Sequence, residues 1–316
     1  MPELPEVETI RRELEPALAG RRITGVELAR PDIVGWPGPA VFARQATGRR
    51  IDGLDRRGKY LILRLDTGGP GRREATPSAR SRGGVPSGSR TELPARAAPA
   101  VPGAGGELVI HLRLSGHLRV LPARAAPERF ERARFRLSGG RALVFIEPRA
   151  LGRLYLVEAG RYPAALGGML RMGPEPVSRG FTAAFLARRL AGRKAAVKVL
   201  LLDQQTCCGV GNIYSDEALF RAGVRPDRPA GSLSPAEVRR LAAALRRVLR
   251  DGIRWCGTTL EDDRYRRPDR QAGSFQRHLH AYGRAGEPCR RPGCHVTIRA
   301  ARFGNRGSCY CPGCQH

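Results

Sequence analysis

Apolar side chains near the start of the chain recur every three or four residues, at Val7, Ile10, Leu14 and Leu18. This spacing is that of an α-helix with one apolar face. Gly20 follows the last apolar position, and glycine is a common residue just after a helix. The pattern therefore predicts an amphipathic helix over residues 3–19.

Short segments of alternating apolar and polar residues come next, separated by glycine or proline. They are residues 23–29, 50–54, 59–65, 108–114, 117–121, 132–137, 142–146 and 153–157. Several short strands at this spacing are typical of a β-sandwich or barrel. Residues 68–106 interrupt the pattern, because they are rich in Gly, Pro, Ser, Ala and Arg and nearly free of aliphatic side chains. We interpret them as a disordered insertion between two strands.

The period becomes helical after residue 180, with four segments at 181–190, 195–203, 212–222 and 234–253. Ser234 and Glu237 form a capping-box pattern around a proline at the first helical position. The sequence therefore predicts an α+β protein of several domains. A helix and β-sandwich occupy 1–160, a helical domain 161–265 and a small C-terminal unit 280–316.

Cysteine defines the C-terminal unit, since five of the eight cysteines fall in the last 28 residues. Two pairs separated by sixteen residues suit a tetrahedral zinc site, and they are Cys289 with Cys294 and Cys311 with Cys314. Cys309 is then the spare, and His295 is an alternative ligand. The pattern predicts one structural Zn²⁺ and a hairpin between the pairs.

The charge of the chain points to a polyanion. There are 56 basic and 29 acidic residues, a formal net charge of +27. Such an excess favours nucleic acid as a partner, with salt-dependent binding. A biased gene composition is the alternative, because almost every basic residue is arginine. No apolar run has the length of a membrane span or secretory signal. We therefore expect a cytoplasmic, nucleoid-associated protein without a membrane partner.

The first residues carry candidate chemistry. If Met1 is removed, Pro2 bears a secondary amine, and α-amino groups titrate near pH ~7.7–8. Such an amine can attack a sugar C1′ and form an iminium, with Glu3 and Glu6 beside it as an acid/base pair. The alternative is structural, because proline suits the first helical turn and glutamates complement the helix dipole.

The string M-P-E-L-P-E-V-E-T resembles the start of the bacterial formamidopyrimidine-DNA glycosylases, which are bifunctional base-excision enzymes. Further matching segments are R-G-K-Y-L at 57–61, H-L-R-L-S-G-H at 111–117, E-P-R-A-L-G at 147–152 and G-V-G-N-I-Y at 209–214. The resemblance spans the chain apart from residues 68–106. It implies a helix plus β-sandwich domain, a helix–two-turn–helix domain and a zinc finger, with DNA in the cleft between them.

The resemblance also implies roles for single residues. Lys59 would contact the damaged nucleotide, and Leu114, where relatives commonly have methionine, would wedge into the base stack. Side chains expected at the DNA are His111, Arg149, Lys198, Asn212 and Arg306. Asn212 also suits a helix cap.

The segment 147–152 departs from the family pattern D-P-R-R-F-G. In the family, the second arginine reads the base opposite the lesion and the phenylalanine helps to fill the void. Ala150 and Leu151 stand at these positions. Alanine cannot hydrogen-bond a base, and leucine stacks less well than a ring.

The implied activity is excision of oxidised purines, such as 8-oxoguanine and formamidopyrimidines, from damaged duplex DNA by a monomer. Pro2 would form the Schiff base, and β,δ-elimination would then cut the strand. One alternative is an endonuclease VIII-like enzyme for oxidised pyrimidines, which the missing Arg/Phe pair favours. The other is a non-catalytic zinc-containing DNA-binding protein, which leaves Pro2, Glu3, Glu6 and Lys59 unexplained.

Overall fold

The computed structural model describes residues 2–68, 105–263 and 265–316. Most of the predicted disordered insertion, residues 69–104, lies outside the described residues. Helix α1 spans Leu4–Leu18, close to the predicted bounds. The four apolar positions that predicted it are at most 1% exposed and pack in one core with both sheets of the first domain.

Nine strands in the described residues of the first domain form two sheets, which confirms the predicted sandwich. Their bounds are β1 Ile23–Leu28, β2 Val34–Trp36, β3 Ile51–Arg57, β4 Tyr60–Leu65, β5 Gly106–His111, β6 His117–Pro122, β7 Glu131–Leu137, β8 Arg141–Ile146 and β9 Arg153–Glu158. One sheet has the order β1-β7-β8-β6 and the other β2-β9-β5-β4-β3. The strands β2 and β9 are parallel, and the other pairs are antiparallel.

One strand and one α-helix in the described part of this domain were not predicted. Strand β2 has three residues and a glycine at its centre, so no alternation can be read from it. Helix α2, Pro39–Ala46, buries Phe42 and Ala46 but is only two turns long. Both are too short to show a period in the sequence.

The second domain is helical, as predicted. Its helices are α3 Gly167–Leu170, α4 Ala183–Leu190, α5 Val197–Leu202, α6 Asn212–Ala222 and α7 Pro235–Arg254. The predicted capping box is present, since Ser234 Oγ accepts the N–H of Glu237 and the Glu237 carboxylate accepts the N–H of Ser234. Leu4 of α1 packs in the core of this domain, so the N-terminal helix joins the two domains.

The C-terminal unit is a hairpin of β10 Arg299–Phe303 and β11 Arg306–Tyr310 beside a cysteine cluster. It packs on Phe220 of α6. Together the three parts confirm the α+β class with a sandwich, a helical domain and a cysteine-rich finger. None of the helices in the described part of the chain has the length and apolar character required to span a bilayer.

Candidate active site

The start of α1 is enclosed between the two domains. Pro2 is buried, and Glu3 is the N-cap residue of the helix. The N–H of Leu4 donates to the carbonyl of Gly209 at 3.0 Å. This contact fixes the first residues of the chain against the glycine turn that precedes α6.

The Glu3 carboxylate is held by the glycine turn. It accepts the N–H of Gly211 at 2.6 Å and the N–H of Ile213 at 3.0 Å. These N–H groups belong to the N-cap and first turn of α6, where a helix favours anionic ligands. A Cβ on Gly211 would lie 2.4 Å from Glu3 Cδ, so only glycine permits this approach.

Glu6 lies one turn further along α1 and is fully enclosed. Its carboxylate accepts the N–H of Glu3 at 2.8 Å, the hydroxyl of Tyr214 at 2.7 Å and the N–H of Thr258 at 2.8 Å. Burial raises the pKa of Glu6, and the nearby charge of Glu3 adds to this. The two carboxyl groups expected beside Pro2 therefore lie in different environments. Glu3 is held by the backbone of the glycine turn, and Glu6 is enclosed with Tyr214 and Thr258.

Lys59 faces the same carboxylates from the sandwich. It follows Gly58, whose φ of 57° makes the turn between β3 and β4. The side chain is buried, and this burial lowers the pKa of Lys59. The charges of Glu3 and Glu6 act in the opposite direction, and Arg306 of the finger lowers the pKa further. Residues from three separate parts of the chain therefore meet around the first residues.

A buried ion-pair network holds this turn in place. Arg56 pairs with Glu8 of α1 at 3.1 Å and with Glu175 at 2.7 Å. Glu175 also accepts the N–H of Gly58 at 2.7 Å. The sequence reasoning missed this network, because its members are distant in the chain and no local pattern connects them.

His111 and Leu114 lie at the end of β5 and in the following turn. Tyr60 packs edge-on against the His111 ring, with centroids 4.4 Å apart. The His111 Nδ1 accepts the N–H of Arg113 at 3.0 Å, so its proton resides on Nε2. Burial lowers the pKa of His111 to about 3, with Arg113 and Lys59 adding to the effect. The ring is therefore neutral, and Leu114 is half-buried beside the buried Leu112.

Lys198 is fully buried, with its ammonium inside the protein. It donates to Asp216 Oδ1 at 2.5 Å, to Ser215 Oγ at 2.8 Å and to the carbonyl of Asn212 at 3.0 Å. Asp216 also accepts the hydroxyl of Ser308 and the N–H of Cys309. The lysine thus helps to join α6 to the finger, and its contact with a DNA phosphate stays a prediction.

Asn212 is the first residue of α6, and its cap is Gly211, so the expectation that Asn212 caps the helix is wrong. Its side chain donates to the carbonyl of Gly307 at 2.9 Å instead. Arg306 precedes Gly307 and is exposed. The structure therefore brings Asn212 and Arg306 together at the edge of the site.

Comparisons with known proteins agree with this geometry. The family models described as "Formamidopyrimidine-DNA glycosylase N-terminal domain" and "Formamidopyrimidine-DNA glycosylase H2TH domain" match residues 1–154 and 172–263. The formamidopyrimidine-DNA glycosylase of Alkalilimnicola ehrlichii is 40% identical over the full length of both chains. That of Moorella thermoacetica is 41% identical over 93% of this chain and 92% of its own.

The chain belongs to the formamidopyrimidine-DNA glycosylases. As a member of this family it is a base-excision repair enzyme for oxidised purines, a DNA glycosylase that also cleaves at abasic sites. This family assignment decides against the non-catalytic and endonuclease VIII-like alternatives.

Solved structures of the family have the same fold. The MutM (Fpg) protein of Thermus thermophilus is 38% identical to this chain, with a TM-score of 0.79. The match covers 99% of this chain and 98% of the Thermus protein. A Lactococcus lactis Fpg mutant bound to DNA containing Fapy-dG is 28% identical over all of both chains, with a TM-score of 0.80. These structures confirm the fold, and damaged DNA is the partner of the enzyme.

The loop in which the family has its second arginine and phenylalanine is held by hydrogen bonds here despite its substitutions. The Glu147 carboxylate accepts the hydroxyl of Ser115 and the N–H groups of Arg149, Leu151 and Gly152. Ala150 has a φ of 53°, and Leu151 is 42% exposed. Arg149 is exposed too. The backbone is thus fixed, while no side chain at 150 or 151 can donate to a base.

The four predicted cysteine ligands of the glycosylase converge. The sulfur atoms of Cys289, Cys294, Cys311 and Cys314 all lie within 4.8 Å of one another. The sulfurs of Cys289 and Cys314 are 3.8 Å apart, and those of Cys294 and Cys311 are 3.6 Å apart. A tetrahedral zinc with Zn–S bonds of ~2.3 Å has sulfurs about 3.8 Å apart, so the donor set fits.

The other sulfur and imidazole candidates stay outside this cluster. Cys309 lies on β11, where its N–H donates to Asp216, and neither it nor His295 belongs to the group of converging ligands in the described residues. Cys207 and Cys208 are buried free thiols, as expected of small apolar side chains.

Some groups of the site were missed from the sequence. Tyr214 and Thr258 hydrogen-bond Glu6, and Glu217 accepts the N–H groups of residues 280–282. A signal existed for Asp216 and Glu217, because two adjacent acids interrupt the apolar helix α6. The segment at Thr258 gave none.

Proposed function

We propose that the amine of Pro2 is the nucleophile of this enzyme. The support is its burial at the head of α1, beside the carboxylates of Glu3 and Glu6 and the ammonium of Lys59. The Pro2 nitrogen bonds to C1′ of the flipped nucleotide, and the bond from C1′ to the damaged base breaks. Glu3 protonates the ring oxygen as the sugar opens to an iminium. Loss of the C2′ proton then expels the 3′ phosphate, and a second elimination expels the 5′ phosphate.

Glu6 and Lys59 supply protons in this proposal. Burial raises the pKa of Glu6 toward neutral pH. A group exchanges protons most effectively when its pKa is near the pH at which the enzyme works. The lowered pKa of Lys59 makes its ammonium a better donor to the departing base. Tyr214 and Thr258 position Glu6 rather than touching the substrate.

Six residues form the proposed DNA surface. Leu114 is the wedge, and neutral His111 donates from Nε2 to a phosphate. The other proposed phosphate contacts are Arg149, Asn212 and Arg306. Lys198, whose ammonium is enclosed with the Asp216 carboxylate, would reach a phosphate only if that ion pair opens on DNA binding. Asn212 and Arg306 support this best. The Asn212 side chain donates to the carbonyl of Gly307, next to Arg306, and the residues on either side of Asn212 donate their N–H groups to Glu3. We propose that the enzyme is a monomer whose three domains, 1–160, 161–265 and 280–316, together contact the duplex. It would act in the cytoplasm, at the nucleoid.

We infer that the finger binds one structural Zn²⁺. Cys289, Cys294, Cys311 and Cys314 would hold it, and four thiolates fill a tetrahedral shell without an open catalytic position. Asp216 then links this unit to α6 through Ser308 and Cys309. The metal thereby fixes the position of Arg306 relative to the site.

Borohydride trapping on a duplex with 8-oxoguanine tests the proposal. The wild-type enzyme should form a covalent adduct that maps to Pro2, with each of the four bases opposite the lesion. Nearly equal trapping across these bases is expected, because Ala150 offers no hydrogen bond to read them. Strong selection for cytosine would contradict this expectation.

The variant Pro2→Gly should lose most base release and strand cleavage, because the secondary amine is gone, while duplex binding is largely kept. Excision rates and gel-shift affinities measure the two properties separately. Full activity in this variant would remove the Pro2 amine from the mechanism. The variant Pro39→Gly, at the start of α2, is the matched control and should retain trapping.

A further inference from the structure

An exposed aromatic ring lies beside the substituted loop. Phe130 immediately precedes β7, and 40% of its surface is exposed. Its carbonyl accepts the N–H of Glu147 at 3.0 Å. The Glu147 carboxylate accepts backbone N–H groups of the loop that ends at Gly152. Phe130 is therefore hydrogen-bonded to the first residue of this loop.

The backbone of Phe130 is in an unfavourable conformation. Its φ of 64° lies in the left-handed region, which bulky residues rarely adopt. Such positions persist where surrounding contacts impose them, and they concentrate at functional sites. Here the hydrogen bond to Glu147 and a turn in which Glu131 N–H donates to the Glu128 carbonyl impose it. An aromatic residue kept there in solvent contributes little to the core of the sandwich.

Two arginines surround the ring. The guanidinium carbon of Arg129 lies 4.6 Å from the ring centroid of Phe130, and that of Arg132 lies 5.6 Å from it. Arg132 also donates to the carbonyls of Glu147 at 2.7 Å and Pro148 at 3.1 Å. Arg132 therefore connects the ring to the loop, and the exposed Arg129 also lies against it.

This combination fits a nucleobase attached to phosphates. An aromatic face stacks on a base whatever its identity, and adjacent cations contact the flanking backbone. We propose that Phe130 stacks on the base left unpaired opposite the damaged nucleotide, with Arg129 at a neighbouring phosphate. The inference rests on the proposed function, since it requires that the damaged nucleotide is flipped. Recognition of the opposite strand then depends on stacking, and purines bind at least as well as cytosine.

Fluorescence of 2-aminopurine tests the stacking without any catalysis. The base is placed opposite a tetrahydrofuran abasic analogue, and full-length enzyme is added at saturation. The wild type should quench the emission, and Phe130→Ala should leave it at least twofold brighter. The same variant should raise the Kd for this duplex about tenfold, or about 1.4 kcal/mol. Phe130→Trp should retain both properties, and Phe130→Leu should lose the quenching.

Several outcomes would overturn the inference. Unchanged emission and Kd in Phe130→Ala would do so, as would a loss of quenching in Leu151→Ala but not in Phe130→Ala. Leu170→Ala is the matched control, because Leu170 is an exposed apolar residue of the helical domain. Borohydride trapping of Phe130→Ala on an abasic duplex should still map to Pro2. A failure of trapping in the wild type would instead count against the proposed nucleophile.

Discussion

The charge of Lys198 shows what burial does to a single residue of this enzyme. Its ammonium is enclosed with the carboxylate of Asp216, and both side chains have no exposed surface. The ammonium makes two further hydrogen bonds, to Ser215 and the Asn212 carbonyl, so the buried charge is fully paired. Removing one partner of such a pair leaves the other charge buried and uncompensated, which costs far more than a surface contact.

We therefore expect Lys198→Met to lower the free energy of unfolding by about 3 kcal/mol. Urea denaturation followed by circular dichroism measures this. Lys194→Met is the matched control, because Lys194 is exposed, and it should change stability by no more than about 0.5 kcal/mol. Unchanged stability in Lys198→Met would show that the ion pair with Asp216 does not stabilise the fold. A weaker salt dependence of DNA binding in this variant would show that the lysine contacts phosphate.

A glycine turn allows the backbone before α6 to lie directly against the Glu3 side chain of α1. The turn before α6 approaches the Glu3 side chain of α1 so closely that no Cβ fits at Gly211. The N–H groups of Gly211 and Ile213 donate to the Glu3 carboxylate from this turn. The position of Glu3 thus depends on the packing of one helix against the start of another.

The variant Gly211→Ala should displace Glu3, because the added methyl overlaps its carboxyl group. We expect a fall in kcat of at least tenfold for base release and a loss of about 1–3 kcal/mol in stability. Single-turnover excision and thermal unfolding measure the two effects. Gly307→Ala is the control, since nothing lies within 4 Å of a Cβ there. Equal kinetics in both variants would show that the close approach to Glu3 has no catalytic role.

At the scale of the whole molecule, three separate units meet around the start of α1. The sandwich contributes Lys59, the helical domain contributes the glycine turn, and the finger brings Arg306. Asp216 connects the last two, because it accepts hydrogen bonds from Lys198 and from Ser308 and Cys309 of β11. Loss of the finger should therefore disturb the helical domain as well as the contact with DNA.

The variant Cys311→Ser should release the metal and lower DNA affinity, because three thiolates no longer complete the tetrahedron. Metal content by mass spectrometry and gel-shift affinity measure these losses. Cys309→Ser is the matched control, since Cys309 lies outside the converging group, and it should keep the metal. If Cys311→Ser kept one zinc per chain and Cys309→Ser lost it, Cys309 would be the ligand in place of Cys311.

Much of the fold is predictable from the sequence because its signals are local. The apolar spacing of α1, the alternation of the strands and the caps of α7 each lie within one segment, so the period alone identifies the element. The short β2 and α2 lack enough residues to show a period. Likewise, the spacing of the two cysteine pairs predicts the converging ligands, because such pairs are typical of a tetrahedral zinc site.

By itself, the sequence determined most of the elements, the order of the parts, the family resemblance and most of the candidate residues of this enzyme. The tertiary structure decided their environments. Burial and long-range contacts set the neutral ring of His111, the enclosed charge of Lys198 and the pairing of Arg56 with Glu175. It also placed Phe130 beside the substituted loop. These facts depend on which distant segments meet, and no local pattern encodes that meeting.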